Sequence, residues 1–534
     1  MANKSFVRGA AILAVAGIII KVLGAFFRIP LGNMIGDEGM AYYQAAYPIY
    51  VLFLTLATSG IPIAISRMVS ERIAVGNNYE AHRVFKISFL LLFSIGAVSF
   101  AICFFGAGMI VNIIGIPDAK YAMRAVACAL LLVPTMAAFR GYFQGQQDMN
   151  PTAISQVVEQ FFRVGVGLSL AYFLMRMGTE YAAAGASFGA AAGAIGGLSA
   201  VGLIYLRRRK PLKAEIEASK LRSLEREKAG TILWKIFVIA VPITIGAAIM
   251  PIMNFIDAGM VVNRLQATGW SYADAKSLYG QLTGFAGPFI NFPQVLTQAV
   301  AMSIVPAIAA SFKLGDMDAL RKDVQVGLRI AIIVGIPCAL GLMSLSEPIM
   351  LLLYPLQRES AIGAAPCLFI MAFGVIFLST IQTLTGVLQG IGKQMIPVRN
   401  LAIGACAKIA VTYWLTGIHG INAKGAAIGT VTAYVIAAVL DLLAVQKYTG
   451  ARFNIRLTYL KPLVGGIIMS AVAICVYRLC FMFAGNTVST FIAVMAAAIA
   501  YCVLLFVTKT ITRDEVLLLP KGKKLVKLVD KFVK

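Results

Sequence analysis

Long apolar runs separated by short polar or charged connections make up most of the chain. About 20 mostly apolar residues span the hydrocarbon core of a bilayer. Fourteen stretches meet that length: 8–30, 42–66, 84–110, 121–143, 152–175, 181–206, 233–259, 281–311, 324–346, 362–390, 396–416, 422–446, 457–481 and 486–510. The pattern predicts an all-α polytopic membrane protein with about 14 transmembrane helices. The first run contains Lys21 and Arg28, and no small-residue cleavage pattern closes it. It therefore reads as helix 1 rather than as a removed signal.

The polar connections repeat. "GYFQGQQDMNP" (141–151) and "GVLQGIGKQMIP" (386–397) each carry Gly-x-x-Gln-Gly and then a Pro. Other landmarks recur at similar offsets: Pro62 with Pro306, Arg163 with Lys408, and "AAGASFG" (183–189) with "AKGAAIG" (423–429). This predicts a duplication into two parallel six-helix lobes, 1–230 and 231–450, followed by helices 13–14 and a basic tail in 451–534. Six helices per lobe is an even number, so both copies enter the membrane in the same direction. Parallel repeats of this kind are a transporter plan, with substrate between the halves. Pro151 and Pro397 are expected to open helices at positions where a missing N–H costs little.

Composition agrees with a bilayer as solvent. Of 534 residues, 60% are hydrophobic and 13% charged, with a mean hydropathy of +0.84. Soluble domains average roughly 45–50% apolar and 25% charged. The net charge of +24 is concentrated in "SRMVSERIAVGNNYEAHRVFK" (66–86), in 207–230 and in the tail 520–534, which emerge on one side if the helices alternate. Connections on the other side, such as 32–39, are poor in Lys and Arg. The positive-inside rule then places both termini and the 207–230 loop in the cytoplasm. The charge thus follows topology, and no motif supports nucleic-acid binding. All eight cysteines fall within apolar runs without paired spacing, so neither a disulfide framework nor a metal site is expected.

Ionisable groups inside apolar runs are expensive, so they are the candidates for work. Lys21 and Arg28 lie seven apart on one helical face. Arg163 and Lys408 hold matching mid-helix positions, and Lys408 has no acid three or four residues away. These four cations suit an anionic substrate. Glu159, four before Arg163, offers a competing local neutralisation. Arg140, and also Arg28 and Asp257, lie close enough to helix ends to reach the interface. Asn291, Gln294 and Gln298 form a polar stripe on helix 8, a further cavity candidate or a helix–helix glue. His82 and His419 fall in connections. No Gly-rich loop ending in Gly-Lys-Ser/Thr occurs, and no nucleophile and base share a polar loop, so no enzyme and no cofactor are expected. The Gly-rich 185–197 stretch reads as a close-packing face.

The opening "RGAAILAVAGIIIKVLGAFFRIPLGNMIGDEGMAYYQAAYP", with "LATSGIPIAISRMVSE" and "GYFQGQQDMNPTAISQVVEQ", resembles the polysaccharide-biosynthesis flippases of the MOP exporter superfamily. Within it the branch of stage V sporulation protein B and YtgP is the most similar, and "KVLGAFFR" is similar to the opening of MurJ-type lipid II flippases. Arg28 sits one residue later than in that opening, and helix 8 carries Asn and Gln where that branch carries arginines. The resemblance implies a fourteen-helix exporter in a cell membrane that translocates an undecaprenyl-pyrophosphate-linked saccharide, with the pyrophosphate near Lys21 and Arg28. It implies lipid II as cargo, a role in peptidoglycan synthesis or sporulation, and the lipid-linked saccharide, membrane lipids and cell-wall synthesis enzymes as partners. Competing readings are an exporter of another lipid-linked oligosaccharide, a MATE-like multidrug antiporter, and a non-transporting membrane scaffold. The antiporter would be expected to carry a lone embedded acid, whereas helix 1 carries only cations.

Overall fold

The computed structural model describes residues 2–220, 227–508 and 510, and it is helical with no strand among them. The tail 520–534 and part of the 207–230 loop lie outside the described residues. Packing divides the chain into two compact units, Met1–Asn263 and Arg264–Lys534. Twelve helical runs among the described residues are long and apolar enough to cross a membrane.

The first unit is built from α1 (Ala2–Thr58), α2 (Ile61–Ala74), α3 (Asn78–Phe105), α4 (Ala107–Ile114), α5 (Lys120–Gly145), α6 (Asn150–Leu174), α7 (Thr179–Arg207), α8 (Arg209–Lys220) and most of α9 (Ala229–Ala267). α1 is two helical arms joined at Gly36, whose φ of 66° is a left-handed value that glycine adopts without a Cβ penalty. The arms fold back on each other, since Phe27 and Tyr43 rings lie 6.1 Å apart. A single residue therefore makes the connection for which the hydropathy pattern left a loop over 31–41. The 66–86 connection is also shorter than expected, because α2 and α3 run into it and leave only 75–77. His82 accordingly sits in the first turns of α3, stacked at 6.5 Å on Tyr205. Within 207–230, α8 forms a separate helix whose Ser219 Oγ accepts the Tyr79 N–H at 2.7 Å.

Ile232, Ile236 and Ala240 of α9 pack with Ile61, Ile65 and Val84 in one buried cluster. Glu227 adds ion pairs to Arg72 of α2 and Lys235 of α9. Burial opposes its charge, but hydrogen bonds from Lys235 and Arg72 hold its carboxyl below the usual range. The packing boundary therefore falls inside α9, not at the 230/231 boundary of the sequence repeat.

The second unit continues through α10 (Tyr272–Gly280), a wide π turn over Gln281–Ala286, α11 (Gly287–Leu314), α12 (Met317–Ser344), α13 (Ser346–Leu353), α14 (Arg358–Gly390), α15 (Met395–Thr416), α16 (Lys424–Thr449) and α17 (Lys461–Val507). α17 repeats the device of α1: Gly485 has φ 66°, and Gly465 comes within 3.5 Å of the Tyr501 ring when a Cβ is placed on it. Met469, Ala473, Ala497 and Tyr501 of α17 pack on Ile333 of α12, where the Tyr501 hydroxyl donates to the Ile333 carbonyl at 3.0 Å.

The duplication is visible in backbone contacts within each unit. A Cβ on Gly185 would lie 2.8 Å from the Leu170 carbonyl carbon, and one on Gly425 would lie 2.7 Å from that of Leu415. A Cβ on Gly189 would approach the Arg163 carbonyl oxygen at 2.6 Å, and one on Gly429 the Lys408 carbonyl oxygen at 3.2 Å. So α7 seats on α6 as α16 seats on α15. Gly141 abuts the Pro62 carbonyl (2.9 Å from its Cβ position) and Gly386 abuts that of Ala301 (2.9 Å). By contact, then, Pro62 corresponds to Ala301, five residues before the expected Pro306.

The repeated turns also match bond for bond. The N–H groups of Gln147 and Asp148 donate to the carbonyls of Gln144 and Phe143 at 2.9 and 3.0 Å, and those of Gly392 and Lys393 to Gln389 and Leu388 at 3.0 and 2.7 Å. The left-handed residue that ends each helix is Gln147 (φ 60°) or Gly392 (φ 76°), not the shared Gly145 or Gly390. Those shared glycines instead admit Val69 and Ile308, whose side chains come within 2.7 Å of the Cβ positions. A non-glycine residue in this conformation costs roughly 1–2 kcal/mol. Gln147→Gly should therefore raise the thermal unfolding temperature of the purified protein, and Gly392→Gln should lower it by a similar amount. Shifts of the same sign, or both of the opposite sign, would show that the two turns are not equivalent.

Candidate functional site

The first arm of α1 is held tightly against α6. The Phe27 ring enters the notch at Gly167, where a Cβ would stand 2.9 Å from Phe27 Cε2, and Gly24 faces Gln160 Nε2 across 3.7 Å. Arg28 follows Phe27, and Arg163 lies one turn before Gly167. Because the second arm of α1 folds back at Gly36, it brings a row of tyrosines to the same place. Tyr43, Tyr47 and Tyr50 follow at i, i+4 and i+7, with ring centroids 5.6 Å (stacked) and 5.9 Å apart. Tyr43 and Tyr50 are buried.

Both guanidiniums meet at the middle ring. The Arg28 Cζ lies 5.7 Å and the Arg163 Cζ 5.5 Å from the Tyr47 centroid. Glu159 does not neutralise Arg163. It accepts from Arg140 of α5 at 2.8 Å, while Arg140 Nε also donates to Ser155 at 2.9 Å. Arg28 and Arg163 have no carboxylate partner among the described residues. A cation in the middle of a membrane helix costs about 2.5–3.5 kcal/mol on insertion scales. Cation–π contacts return about 0.5–2 kcal/mol each. The cluster therefore holds a surplus of positive charge that an anion would stabilise.

The remaining candidates lie elsewhere. Lys21, two turns before Arg28, is exposed, and Asp257 is half-buried in α9. Lys408 is 4% exposed on α15 of the second unit, in the position matching Arg163. Asn291 and Gln298 are exposed on α11 and Gln294 is half-buried. On the same helix the buried Thr297 donates to Gln382 of α14 at 2.5 Å. His419 stacks on Trp270 at 4.5 Å.

Three groups escaped the reading of the sequence. Tyr47 carried no signal beyond an aromatic spacing. The Arg140–Glu159 pair joins two helices that only the fold brings together. Asp441, fully buried in α16, accepts from the buried Asn400 of α15 at 2.8 Å. Its signal in the sequence is a lone acid within an apolar run.

Two helical units that duplicate one packing scheme, with uncompensated cations inside membrane-length helices, suit movement of a charged cargo rather than its chemical transformation. The chain is a multi-pass membrane transporter. It belongs to the polysaccharide biosynthesis protein family, whose model matches residues 6–312; the MatE model matches 281–414. It is 28% identical to "Lipid II flippase MurJ" of Bacillus subtilis (strain 168), covering 94% of this chain and 95% of the relative. It is 26% identical to "Stage V sporulation protein B" of the same organism, covering 97% and 98%. Among solved structures, a lipid II flippase MurJ in an inward closed conformation matches with a TM-score of 0.68 at 17% identity, over 92% of this chain and 97% of that one. An inward-facing multidrug resistance MATE family transporter of the MOP superfamily matches with a TM-score of 0.64 at 14% identity, over 82% and 98%. These structures show the shared fold.

The Arg140–Glu159 pair is 13% and 21% exposed at its side chains. Leaving one buried partner unsatisfied costs about 1–3 kcal/mol. Glu159→Gln and Arg140→Met alone should each lower thermal stability, and the double variant should lose less than the sum of the two. Strict additivity in the double-mutant cycle would show that the pair contributes no coupling.

Proposed function

We propose that this protein flips an undecaprenyl-diphosphate-linked saccharide, with lipid II as the cargo, across the cytoplasmic membrane by alternating access. The observation that carries the reading is the pair of guanidiniums, Arg28 and Arg163, without a carboxylate partner in membrane-length helices of the first unit. A diphosphate diester presents two anionic phosphates, and guanidinium forks match their oxygens with charge-assisted hydrogen bonds. Lys21 and Lys408 join the proposal as further cargo-facing cations. The similarity to relatives named for lipid II flipping and for sporulation supports a lipid-linked saccharide as the cargo class. The exposed amides Asn291 and Gln298 on α11 favour a second lipid-linked oligosaccharide as the alternative cargo.

Hydrogen bonds to charged groups contribute about 1.5–3 kcal/mol, so losing one should slow flipping roughly tenfold to a hundredfold. Arg28→Ala and Arg163→Ala should insert at native levels yet lose translocation of labelled precursor. Native rates in both would overturn the site. On depletion of the protein, a precursor bearing the diphosphate should accumulate on the inner leaflet, and its sugar identifies the cargo. Unchanged precursor pools in both leaflets would overturn the function.

The distribution of Lys and Arg supports cytoplasmic termini and a cytoplasmic 207–230 loop. In a cysteine-free background, Lys213→Cys on α8 should react with an impermeant maleimide only from inside, and Gly420→Cys only from outside. Both positions are exposed, whereas Ser219 is buried. Reversed labelling would overturn the orientation.

A further inference from the structure

We infer that Tyr47 is a positioning residue that holds Arg28 and Arg163 as one divalent clamp, and that this clamp selects diphosphate lipids against the single-phosphate lipids of the surrounding bilayer. The inference rests on the diphosphate reading above and extends it to selectivity.

Two free guanidiniums repel each other, and in a low-dielectric setting that repulsion is weakly screened. Long arginine side chains would separate unless a shared contact offset it. Tyr47 is that contact, with its ring 5.7 Å from the Arg28 Cζ and 5.5 Å from the Arg163 Cζ. The negative face of an aromatic ring attracts a cation, so one ring serves both arginines. The ring itself has little freedom. Tyr43 stacks on it at 5.6 Å with planes 19° apart, and Tyr50 lies at 5.9 Å on its other side. Tyr43 in turn rests on Phe27 at 6.1 Å, and the Gly167 notch fixes Phe27 against α6. The spacing of the two cations is thus set by packed aromatic groups rather than by flexible side chains.

A fixed pair of positive charges recognises two negative charges at a matching spacing. A diphosphate diester carries two anionic phosphate groups joined through one oxygen. A phosphodiester, which is the headgroup linkage of ordinary phospholipids, carries one. Bulk lipid brings one negative charge to two cations and leaves a net positive charge in an apolar setting, which is costly. Selectivity by a structure of this type is a difference of affinities, built partly from that penalty.

The test uses the purified full-length protein in detergent, with a sugar-capped undecaprenyl diphosphate (a diphosphate diester) and a sugar-capped undecaprenyl monophosphate (a phosphodiester) as probes, and native Tyr47 compared with Tyr47→Phe and Tyr47→Leu. The native protein should bind the diphosphate about tenfold or more tightly than the monophosphate, a ratio within what two cation contacts can supply. Tyr47→Phe keeps the ring but removes the hydroxyl that both guanidiniums reach, and should retain part of that ratio. Tyr47→Leu should bring the two affinities together, chiefly by weakening the diphosphate, while its unfolding temperature stays near that of Tyr47→Phe. A native ratio in Tyr47→Leu, with Arg28→Ala and Arg163→Ala losing diphosphate binding, would overturn the role of Tyr47 and leave the cargo reading standing. Equal affinities in the native protein, unaffected by either arginine substitution, would overturn both.

Discussion

Backbone-to-backbone contact at glycine is the constraint on which each unit depends. Lipid tails are as apolar as leucine, so helices in a bilayer gain little by hiding hydrophobic surface and must associate through close packing. Here α7 and α16 lie on α6 and α15 so closely that a single methyl at Gly189 or Gly429 would strike a neighbouring carbonyl or hydroxyl oxygen. Those contacts fix the rotation of α6 and α15 and therefore the direction in which Arg163 and Lys408 point. The same principle places α1, since the Gly167 notch receives Phe27 and determines where Arg28 stands.

Electrostatics follow from that packing. Arg140 and Glu159 are brought together across α5 and α6, so the acid one turn before Arg163 is engaged by another partner. The fold thus sorts its charges into a closed pair that ties helices together and an open pair that faces an aromatic ring. In the second unit the matching positions carry different chemistry. Lys408 replaces the arginine, and a buried Asn400–Asp441 hydrogen bond stands where the first unit has Ser155 and Val201. Duplicated geometry has therefore been filled with unequal side chains.

Much of this was legible in the residues. Apolar run lengths predicted the helices because the bilayer imposes a length on each crossing. The Gln-Gly turns and the two Gly-rich stretches predicted a duplication, and the backbone contacts repeat at those positions. Connections were the weak point. Hydropathy registers polar side chains as loop, but helices such as α2, α3 and α8 continue through charged residues once their backbone bonds are satisfied. The register at Pro306 differs because a proline-to-proline match follows residue type, whereas packing matches neighbours. Within the candidate site, the cations announced themselves by their cost in lipid. Tyr47 did not, since an aromatic residue in a membrane helix is ordinary until the chain folds back upon itself.

The reversal at Gly36 leaves no slack between the arms of α1. Loops ordinarily absorb insertions because extra residues bulge into solvent. Here each added or deleted residue would turn the following side chains by about 100° around the helix axis. One insertion between Phe27 and Tyr47 would rotate Tyr47 away from Arg28 and Arg163 while leaving every residue type unchanged. The length of this hairpin is therefore as much a part of the Tyr47–Arg28–Arg163 cluster as its amino acids. Substitutions can be tested against it one at a time, but its chain length must be inherited whole.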